Sequence, residues 1–344
     1  MTAEPVAREI ALRDRKAEHI RLALDRRMQL EGHYFDAYAF EHVALPEMDF
    51  AEIDVSTEFL GKRLDAPLLI SCMTGGTESA GRINRNLAQA AEECRVAVGV
   101  GSQRKALEDP AQASTFQVRA VAPTIPLLAN LGAVQLNYGY GLEECRAAID
   151  MIQADALTFH LNPLQEALQP EGQRDFRGLL GKMGAIAEGL EFPVIVKEIG
   201  CGISAALALS LVDRGITIID TAGLGGTSWA RIEARRSGDV EIGEMFADWG
   251  IPTPVAIERL AAVEGLTVIG SGGLRNGVDA AKAIALGADL VGMAYPFLEP
   301  ATDGAERVAD RIDRIVEELK IAMFCVGART IGELKQVNLL RRPA

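Results

Sequence analysis

The sequence predicts an α/β protein, a (β/α)8 TIM barrel with an N-terminal helical extension and a long loop after the sixth strand. Three observations indicate this fold. Short apolar runs rich in valine, isoleucine and leucine recur along the chain, segments with helical periodicity separate them, and glycine marks many of the junctions. Such runs are typical of strands buried on both faces, and their alternation with helices is typical of a parallel sheet. An open, doubly wound sheet is the alternative that this pattern leaves.

Eight apolar runs are predicted to form the barrel strands, in the order in which they occur. They are PLLISCM (67–73), VAVGVG (96–101), PLLANLG (126–132), ALTFHLN (156–162), PVIVKEIG (193–200), TIIDTAG (217–223), LTVIGSGG (266–273) and LVGMAYPF (290–297). Several of the periodic segments between them end at glycine, a common helix stop. The predicted helices cover residues 80–95, 142–153, 176–190, 204–215 and 277–287.

Two parts of the chain lie outside this regular alternation. Residues 1–66 form the N-terminal extension, which includes a predicted helix over 6–30. We assign the extension to the same domain as the barrel, residues 67–344, because no linker or low-complexity tract divides them. The connection 224–265 is the long loop after strand six, and loops of this length are commonly functional lids or locally disordered.

Composition and charge narrow the class of function. The 344-residue chain has a formal net charge of −13, so we expect no nucleic-acid partner, since duplex binding requires a basic surface. Its five cysteines are scattered and lack CxxC spacing, as is typical of reduced thiols. We find no apolar signal region and no uncharged run of transmembrane length, so we expect a cytoplasmic protein without a membrane partner.

Polar side chains gather at the end of the fourth predicted strand. Because successive strand residues face opposite sides, Thr158, His160 and Asn162 are expected to face the barrel interior, with Gln165 and Glu166 just beyond them. Active sites of such barrels lie at these strand ends. The alternatives are a hydrogen-bonded core histidine for His160 and a solvated helix-start carboxylate for Glu166.

Lys197 is predicted to point inward from the fifth strand. A lysine in that position is costly to bury unless an anion or a dipole meets its charge. A structural ion pair with Glu198 is the alternative to a functional role.

Glycine-rich sequences follow or end the last three strands. They are GLGGTS (223–228), GSGG (270–273) and GMAYPF (292–297). In (β/α)8 barrels the loops after strands seven and eight often bind phosphate through backbone N–H groups, and glycine lets an anion approach the backbone. Ordinary strand–helix turns are the alternative. The G-x-G-x-x-G spacing of a dinucleotide site is missing.

Seven motifs together resemble the type 2, flavin-dependent isopentenyl-diphosphate isomerase family. They are DRKAEHI (14–20), MTGG (73–76), GSQR (101–104), ANLGAVQ (129–135), HLNPLQEALQPEG (160–172), DTAGLGGTSWARIE (220–233) and GSGGLRNGVDAAKAIALGADLVGMAYPFL (270–298). The resemblance implies an FMN-binding barrel that interconverts isopentenyl diphosphate and dimethylallyl diphosphate. It further implies reduced FMN, Mg²⁺ and a reductant, which is NADPH or reduced flavin. We also expect a homo-oligomer, either a tetramer or an octamer, since the low aromatic content and the extension are compatible with assembly.

The resemblance also implies roles for individual residues. FMN contacts are expected from Met73, Thr74, Gly75, Ser102, Asn130, Lys197, Thr221, Thr227, Gly272, Gly273, Ala294 and Tyr295. Contacts with the small-molecule diphosphate substrate are expected from Arg15, Lys16, His19, Ser102, Gln103, Arg104, His160, Asn162 and Gln165. Glu166 is expected to bind the metal. Catalytic roles are expected for Gln165, His160, Lys197 and Trp229.

These residue types suit that chemistry. Cationic side chains recognise a diphosphate, and one carboxylate with phosphate oxygens commonly holds Mg²⁺. Moving a carbon–carbon double bond through protonation requires a dry, electron-rich site. Apart from the resemblance, RDRK (13–16) would be a solvated helix face, and Trp229 would be a loop residue packed on a neighbouring subunit.

Two other functions remain open at this point. An FMN-dependent oxidoreductase of 2-hydroxy acids would use a histidine base and arginines for the substrate carboxylate. A barrel that stores or senses flavin would have no enzymatic activity. The sequence that follows His160, LNPLQE, favours a diphosphate and a metal over a carboxylate substrate.

Overall fold

All eight predicted strands form, and they close into one parallel barrel. The computed structural model describes residues 16–342. Each strand pairs with its sequence neighbours, and the last pairs with the first through Val291 and Leu68, so the barrel is confirmed and the open sheet is wrong. The strands are β1 Leu68–Ile70, β2 Ala97–Gly99, β3 Leu127–Gly132, β4 Ala156–His160, β5 Val194–Lys197, β6 Ile218–Asp220, β7 Thr267–Ser271 and β8 Leu290–Met293.

The five predicted helices also form, each within a few residues of its expected bounds. The described helices are 16–23, Glu78–Glu93, Arg104–Glu108, Leu142–Ile152, Pro163–Leu168, Leu179–Gly189, Ala205–Val212, Trp229–Ser237, Val240–Met245, Thr253–Ala261, Gly277–Ala285, Tyr295–Asp303, Ala305–Val326 and Ile331–Leu334. Short 3-10 turns cover Arg26–Met28, Tyr34–Ala37, Phe50–Glu52, Pro110–Thr115, Arg119–Val121 and Ala133–Asn137. No helix within residues 16–342 is both long enough and apolar enough to cross a membrane.

Apolar side chains fill the half of the barrel where the strands begin. A hairpin formed by Thr57–Phe59 and Lys62–Leu64 contributes Phe59 and Leu64 to this cluster. The strands contribute Leu69, Ala97, Leu128, Ala156, Ile195, Ile269 and Leu290. Because this packing occupies the N-terminal half, the carboxyl ends of the strands are left for polar residues and a cavity.

The N-terminal helix ends earlier than the sequence predicts. Of the predicted span 6–30, residues 6–15 lie outside the described residues, and the helix ends at 23 instead of 30. The Asp25 carboxylate accepts a bond from the Arg27 amide and begins a 3-10 turn. Met28 is then buried against Ile232, and Leu30 donates to the Gly226 carbonyl. These contacts with the chain after β6 stabilise an extended backbone in place of further helical turns.

The connection 224–265 is largely helical, which corrects the expectation of a long loop. It contains Trp229–Ser237, Val240–Met245 and Thr253–Ala261. Ser228 and Asp239 each accept a backbone bond at the start of a helix, and Gly238 ends the first one at φ 85°. The segment therefore has its own start and stop signals.

The rest of the extension packs on the barrel and its helices. Phe35, Ile53 and Val55 belong to the main hydrophobic core. Tyr38–Phe40 pairs in antiparallel fashion with Leu339–Arg341, so the extension is also joined to the last strand of the described chain.

Candidate active site

A cavity of about 290 Å³ opens at the carboxyl ends of the strands. Every strand, or the residues directly after it, contributes to its wall. The contributing residues are Met73 after β1, Ser102 after β2, Asn130 in β3, His160 in β4, Lys197 in β5, Ala222 after β6, Ser271 in β7 and Met293 in β8. The N-terminal helix adds Lys16 and His19 from above, so the extension completes the wall.

The structure brings most of the predicted site residues to this cavity. Those that line it are Lys16, His19, Met73, Thr74, Ser102, Arg104, Asn130, His160, Asn162, Gln165, Glu166, Lys197, Thr227, Trp229, Gly272, Gly273, Ala294 and Tyr295. Arg15 lies outside the described residues. Position alone assigns no role, so the roles expected of these residues stay predictions.

Three predicted contact residues do not line the cavity and instead contact neighbouring residues of its wall, so their expected ligand contacts stay predictions. Gln103 is fully buried, donates to the Ala148 carbonyl at 2.7 Å and accepts from the Asn130 amide at 3.0 Å. Thr221 exchanges two hydrogen bonds with the Ser271 backbone between β6 and β7. Gly75 packs directly on the Phe116 ring, where a Cβ would overlap it. A linear motif cannot distinguish such neighbours from residues that line the cavity.

Glycines after β6 and β7 form one end of the cavity from backbone. Gly272 and Gly273 have φ values of +107° and +80°, and a Cβ on either would overlap the backbone of Gly223 or Gly225. Helix Tyr295–Asp303 begins at the same end, and within the described residues no side chain caps it. Pro296 has no N–H and the Phe297 N–H donates to the Ala294 carbonyl, so the Tyr295 N–H is the group at this helix start that can meet an anion next to the glycines.

The carboxylate of Glu166 is oriented by a ring of amides. Helix Pro163–Leu168 begins with proline at its first position and places Glu166 in its first turn. One carboxylate oxygen accepts from Asn162 at 2.9 Å, and the other accepts from Gln169 at 2.7 Å and from the Gln173 amide at 2.6 Å. Glu166 is buried and lines the cavity, so the structure does not make it the solvated helix-start residue of the alternative.

The same cluster contains a buried oxygen that no described group satisfies. It is Oδ1 of Asn162, whose Nδ2 donates to Glu166. Carboxylate and amide oxygens are the ligands that hard divalent cations prefer. Within residues 16–342 no group of three or more His, Cys, Asp or Glu side chains could hold a metal ion on its own. A cation here would therefore take further ligands from substrate or water.

His160 lines the cavity as a neutral, partly buried imidazole. Burial, followed by the charges of Lys197 and Lys16, lowers the pKa of His160 to about 3. Its Nδ1 lies 2.9 Å from the Asn130 side-chain oxygen. At neutral pH the ring can orient a polar group through one N–H, and it adds no positive charge to the cavity.

Lys197 is buried and meets dipoles and carboxylates around it. Its Nζ donates to the Glu198 carbonyl at 2.5 Å, while the Glu198 carboxylate accepts from three backbone amides, those of residues 199–201. The contact between Lys197 and Glu198 is therefore with the backbone carbonyl and not the ion pair of the alternative. Asp220 lies opposite Lys197 in the β5–β6 register and accepts a bond from Ser271. Burial raises the pKa of Asp220, although the Lys197 charge opposes that shift.

The N-terminal helix and the helix after β6 close the opposite side of the cavity. Lys16 donates to the Ser102 carbonyl at 3.3 Å. His19 meets the Trp229 ring edge-on, with ring centroids 5.2 Å apart. Trp229 also packs against the cluster of Leu22, Met28 and Ile232. This packing within one chain accounts for Trp229 without a neighbouring subunit.

Glu233, which the sequence did not indicate as a site residue, lies at the centre of this side. Its carboxylate accepts from Gln165 at 2.7 Å, lies 3.0 Å from His19 Nε2 and pairs with Arg236 at 2.5 Å. Burial alone would raise the pKa of Glu233, but the contacts with His19, Gln165 and Arg236 hold it below its usual value. The only sequence signal was its position four residues after Trp229, which places both on one helix face.

The chain is similar to several curated proteins over nearly its whole length. It is 48% identical over 334 residues to the isopentenyl-diphosphate delta-isomerase of Nostoc sp., with 95% of each chain covered. It is 52% identical over 338 residues to the protein of that name from Paracoccus zeaxanthinifaciens, covering 95% of this chain and 97% of that one. The corresponding Synechococcus sp. protein is 49% identical, with 98% and 99% covered.

A family model and solved structures agree on the fold. The model of FMN-dependent dehydrogenases matches residues 180–341. A lactate oxidase of Pediococcus acidilactici superposes with a TM-score of 0.67 at 19% identity, covering 90% of this chain and 85% of that one. A mandelate oxidase variant superposes with a TM-score of 0.64 at 18% identity, with 95% and 91% covered. At such identities these structures establish the fold alone.

Proposed function

The chain belongs to the isopentenyl-diphosphate delta-isomerase family, and we propose that it interconverts isopentenyl diphosphate and dimethylallyl diphosphate. The observation that carries the proposal is the meeting of three features in one cavity. These are the end of the cavity that glycine backbone forms, the cationic side chains that line the cavity on the side of the N-terminal helix, and Glu166 with its amide donors. Each suits a different part of a reaction that needs a cofactor, a diphosphate and a metal.

The backbone end fits the phosphate of FMN. Gly272 and Gly273 line this end of the cavity with backbone alone, and the Tyr295 N–H at the start of helix Tyr295–Asp303 is a further donor for an anion. Lys197, at the end of β5, is suited to offset the negative charge of a reduced flavin. When bound, reduced FMN would supply electron density beside the alkene. It would also supply a group able to give a proton to the substrate or take one from it.

The opposite side fits the substrate. Lys16 and Arg104 line the cavity and supply positive charge for a diphosphate, and His19 adds a directional donor. Glu166, together with Oδ1 of Asn162, fits a Mg²⁺ ion that shares diphosphate oxygens. One or two protein oxygens suffice for this ion, because Mg²⁺ commonly keeps several waters.

The apolar and aromatic residues suit the reacting carbons. Trp229, held against His19, covers the cavity and excludes water from developing positive charge. The neutral His160 orients groups on the cavity floor without repelling that charge. Gln165 lines the cavity and donates to Glu233, so its amide is held in one orientation towards the substrate.

The proposal includes three further properties expected from the sequence. These are NADPH or reduced flavin as the reductant, a homo-oligomer and a location in the cytoplasm. Exposed apolar side chains on the segment after β6, Met245 and Trp249, are compatible with assembly. Size-exclusion chromatography with light scattering measures the assembly, and anaerobic titration with NADPH measures flavin reduction.

An absorbance spectrum followed by an isomerase assay tests the function. The purified protein should be yellow, and after anaerobic reduction with Mg²⁺ present it should convert isopentenyl diphosphate without an electron acceptor. Turnover of a 2-hydroxy acid only with an acceptor would establish the oxidoreductase instead. A yellow protein that is inactive when reduced would favour flavin storage, and a colourless protein that does not bind FMN would refute the proposal altogether.

A further inference from the structure

We propose that Arg236 is a positioning residue that fastens the N-terminal helix over the cavity and holds Glu233 between His19 and Gln165. The inference rests on the proposed function, because His19 and Gln165 are expected to face the diphosphate. We call Arg236 and its three carboxylate partners, Glu18, Glu171 and Glu233, the latch.

The latch joins three segments that are distant in the chain. The guanidinium lies 3.3 Å from Glu18 on the N-terminal helix, 3.0 Å from Glu171 after helix Pro163–Leu168 and 2.5 Å from Glu233 on its own helix. Its side chain is 10% exposed, and that of Glu233 is 0% exposed. One side chain thus ties the N-terminal extension to the loops that follow β4 and β6.

The guanidinium suits this task better than any other side chain. It has five N–H donors in a rigid, planar fork and keeps its charge at all physiological pH values. Nε, Nη1 and Nη2 each address a different carboxylate. A lysine has a single nitrogen and cannot span the same three oxygens with comparable geometry.

The buried arm of the latch orients the groups that line the cavity. Arg236 binds Oε2 of Glu233, which leaves Oε1 for Gln165 and His19. A buried carboxylate that loses its cation is strongly unfavourable. Without Arg236, Glu233 would therefore turn towards water or take up a proton, and Gln165 and His19 would lose a fixed partner.

The bond to Glu18, the more exposed arm of the latch, positions the protein side chains that are expected to bind the diphosphate. Glu18 lies on the same short helix as Lys16 and His19, so the bond from Arg236 to Glu18 holds both above the cavity. Exposed ion pairs contribute little when they act alone. Here the arginine is held by the buried Glu233, so the arm to Glu18 does not have to order a mobile side chain.

Kinetics and hydrogen exchange on the flavin-bound protein test the proposal. Arg236→Gln should raise KM for isopentenyl diphosphate about tenfold, the equivalent of about 1.4 kcal/mol, with a smaller change in kcat. It should retain the flavin spectrum, and amides of residues 16–23 should exchange faster. Arg236→Lys should recover part of the KM. Arg307→Gln, which removes an exposed ion pair with Asp310, is the matched control.

Two single-arm variants keep the proposal testable if Arg236→Gln fails to fold. Glu18→Gln should speed amide hydrogen exchange in residues 16–23 and raise KM for isopentenyl diphosphate modestly. Glu171→Gln should change both quantities in the same direction but by less. Unchanged exchange and KM in all latch variants would overturn the proposal. If the wild-type protein had no isomerase activity, the proposed function would fail, and the exchange of residues 16–23 would still decide whether the latch holds this helix.

Discussion

Single side chains in the cavity owe their chemistry to burial and to their immediate partners. His160 is the clearest case, because the same imidazole in water would titrate near neutral pH. In the cavity it stays neutral, next to Asn130 and between two lysines. The conversion of a common switch residue into a permanent hydrogen-bonding group follows from position alone.

This depressed pKa has a consequence for stability. Between pH about 3 and 6.5, the unfolded chain binds a proton at His160 that the folded chain does not, so folding stability rises with pH through that window. Lowering the pH from 7 to 5.5 should destabilise the wild type more than His160→Gln, by up to about 1.4 kcal/mol. Urea denaturation at both pH values measures the difference. The control His42→Gln, at an exposed position, should show the same pH dependence of stability as the wild type. The same pH dependence in His160→Gln would refute the lowered pKa of His160.

Glu166 provides a second test at the scale of one residue. Glu166→Gln keeps the shape of the side chain and removes the charge that attracts a cation. We expect the Mg²⁺ concentration for half activation to rise about tenfold or more, with the yellow colour retained. The measurement is activity against free Mg²⁺ concentration. The exposed Glu191→Gln is the control, and full activity of Glu166→Gln at limiting Mg²⁺ would exclude a metal role for Glu166.

Among the structural elements, the turns after the strands determine what can enter the cavity. The turns after β6 and β7 approach each other so closely that only glycine fits between them. The helix after β6 begins at Ser228, whose hydroxyl accepts from the Arg231 amide and donates to the Ala247 carbonyl. This start places Trp229 against the N-terminal helix, so one capped turn orients a whole side of the cavity.

Gly273→Ala tests the glycine end against a matched glycine elsewhere. Gly215 has a similar φ of +77°, but no atom lies within 4 Å of its ideal Cβ. Gly215→Ala should lower the free energy of unfolding by roughly 1–2 kcal/mol through backbone strain alone, and flavin affinity should not change. Gly273→Ala should cost more and weaken FMN binding, because its Cβ overlaps Gly225. Flavin fluorescence titration measures the affinity, and equal behaviour of the two variants would contradict the close approach.

The whole molecule is a closed barrel whose extension is part of its packing. Residues of the extension are buried in the same core as the barrel strands and helices, and its strand Tyr38–Phe40 pairs with the C-terminal strand Leu339–Arg341. The N-terminal helix also supplies part of the cavity wall. Stability and site geometry are therefore coupled through the extension.

Phe35→Ala tests whether the extension and the barrel unfold together. Phe35 is 2% exposed, and its loss should cost about 3–5 kcal/mol. We expect one transition, shifted to lower urea, when unfolding is followed both by tryptophan fluorescence and by far-UV circular dichroism. Phe192→Ala, at a side chain 38% exposed, should shift it little. A separate early transition in Phe35→Ala would show that the extension folds independently of the barrel.

Local sequence patterns were sufficient to predict the strands and helices of the barrel. Strand and helix periodicity is a property of neighbouring residues, so the eight strands, five helices and their polar ends could be predicted. The face rule placed His160 correctly at the cavity, since alternation in β4 depends on the backbone alone, and Asn162 reaches the same cavity from the start of the following helix. The family resemblance added the N-terminal Lys16 and His19, which no local pattern connects to the barrel.

The sequence by itself determined the barrel, its order of strands and the end at which polar groups collect. Only the tertiary structure decided that the first helix ends at 23, that Gln103 and Thr221 support the wall, and that Glu233 and Arg236 link the extension to the cavity. The physical reason is separation along the chain. Arg236 and Glu18 are 218 residues apart, and Gln165 and Glu233 are 68 apart, so their interactions exist only once the barrel has closed.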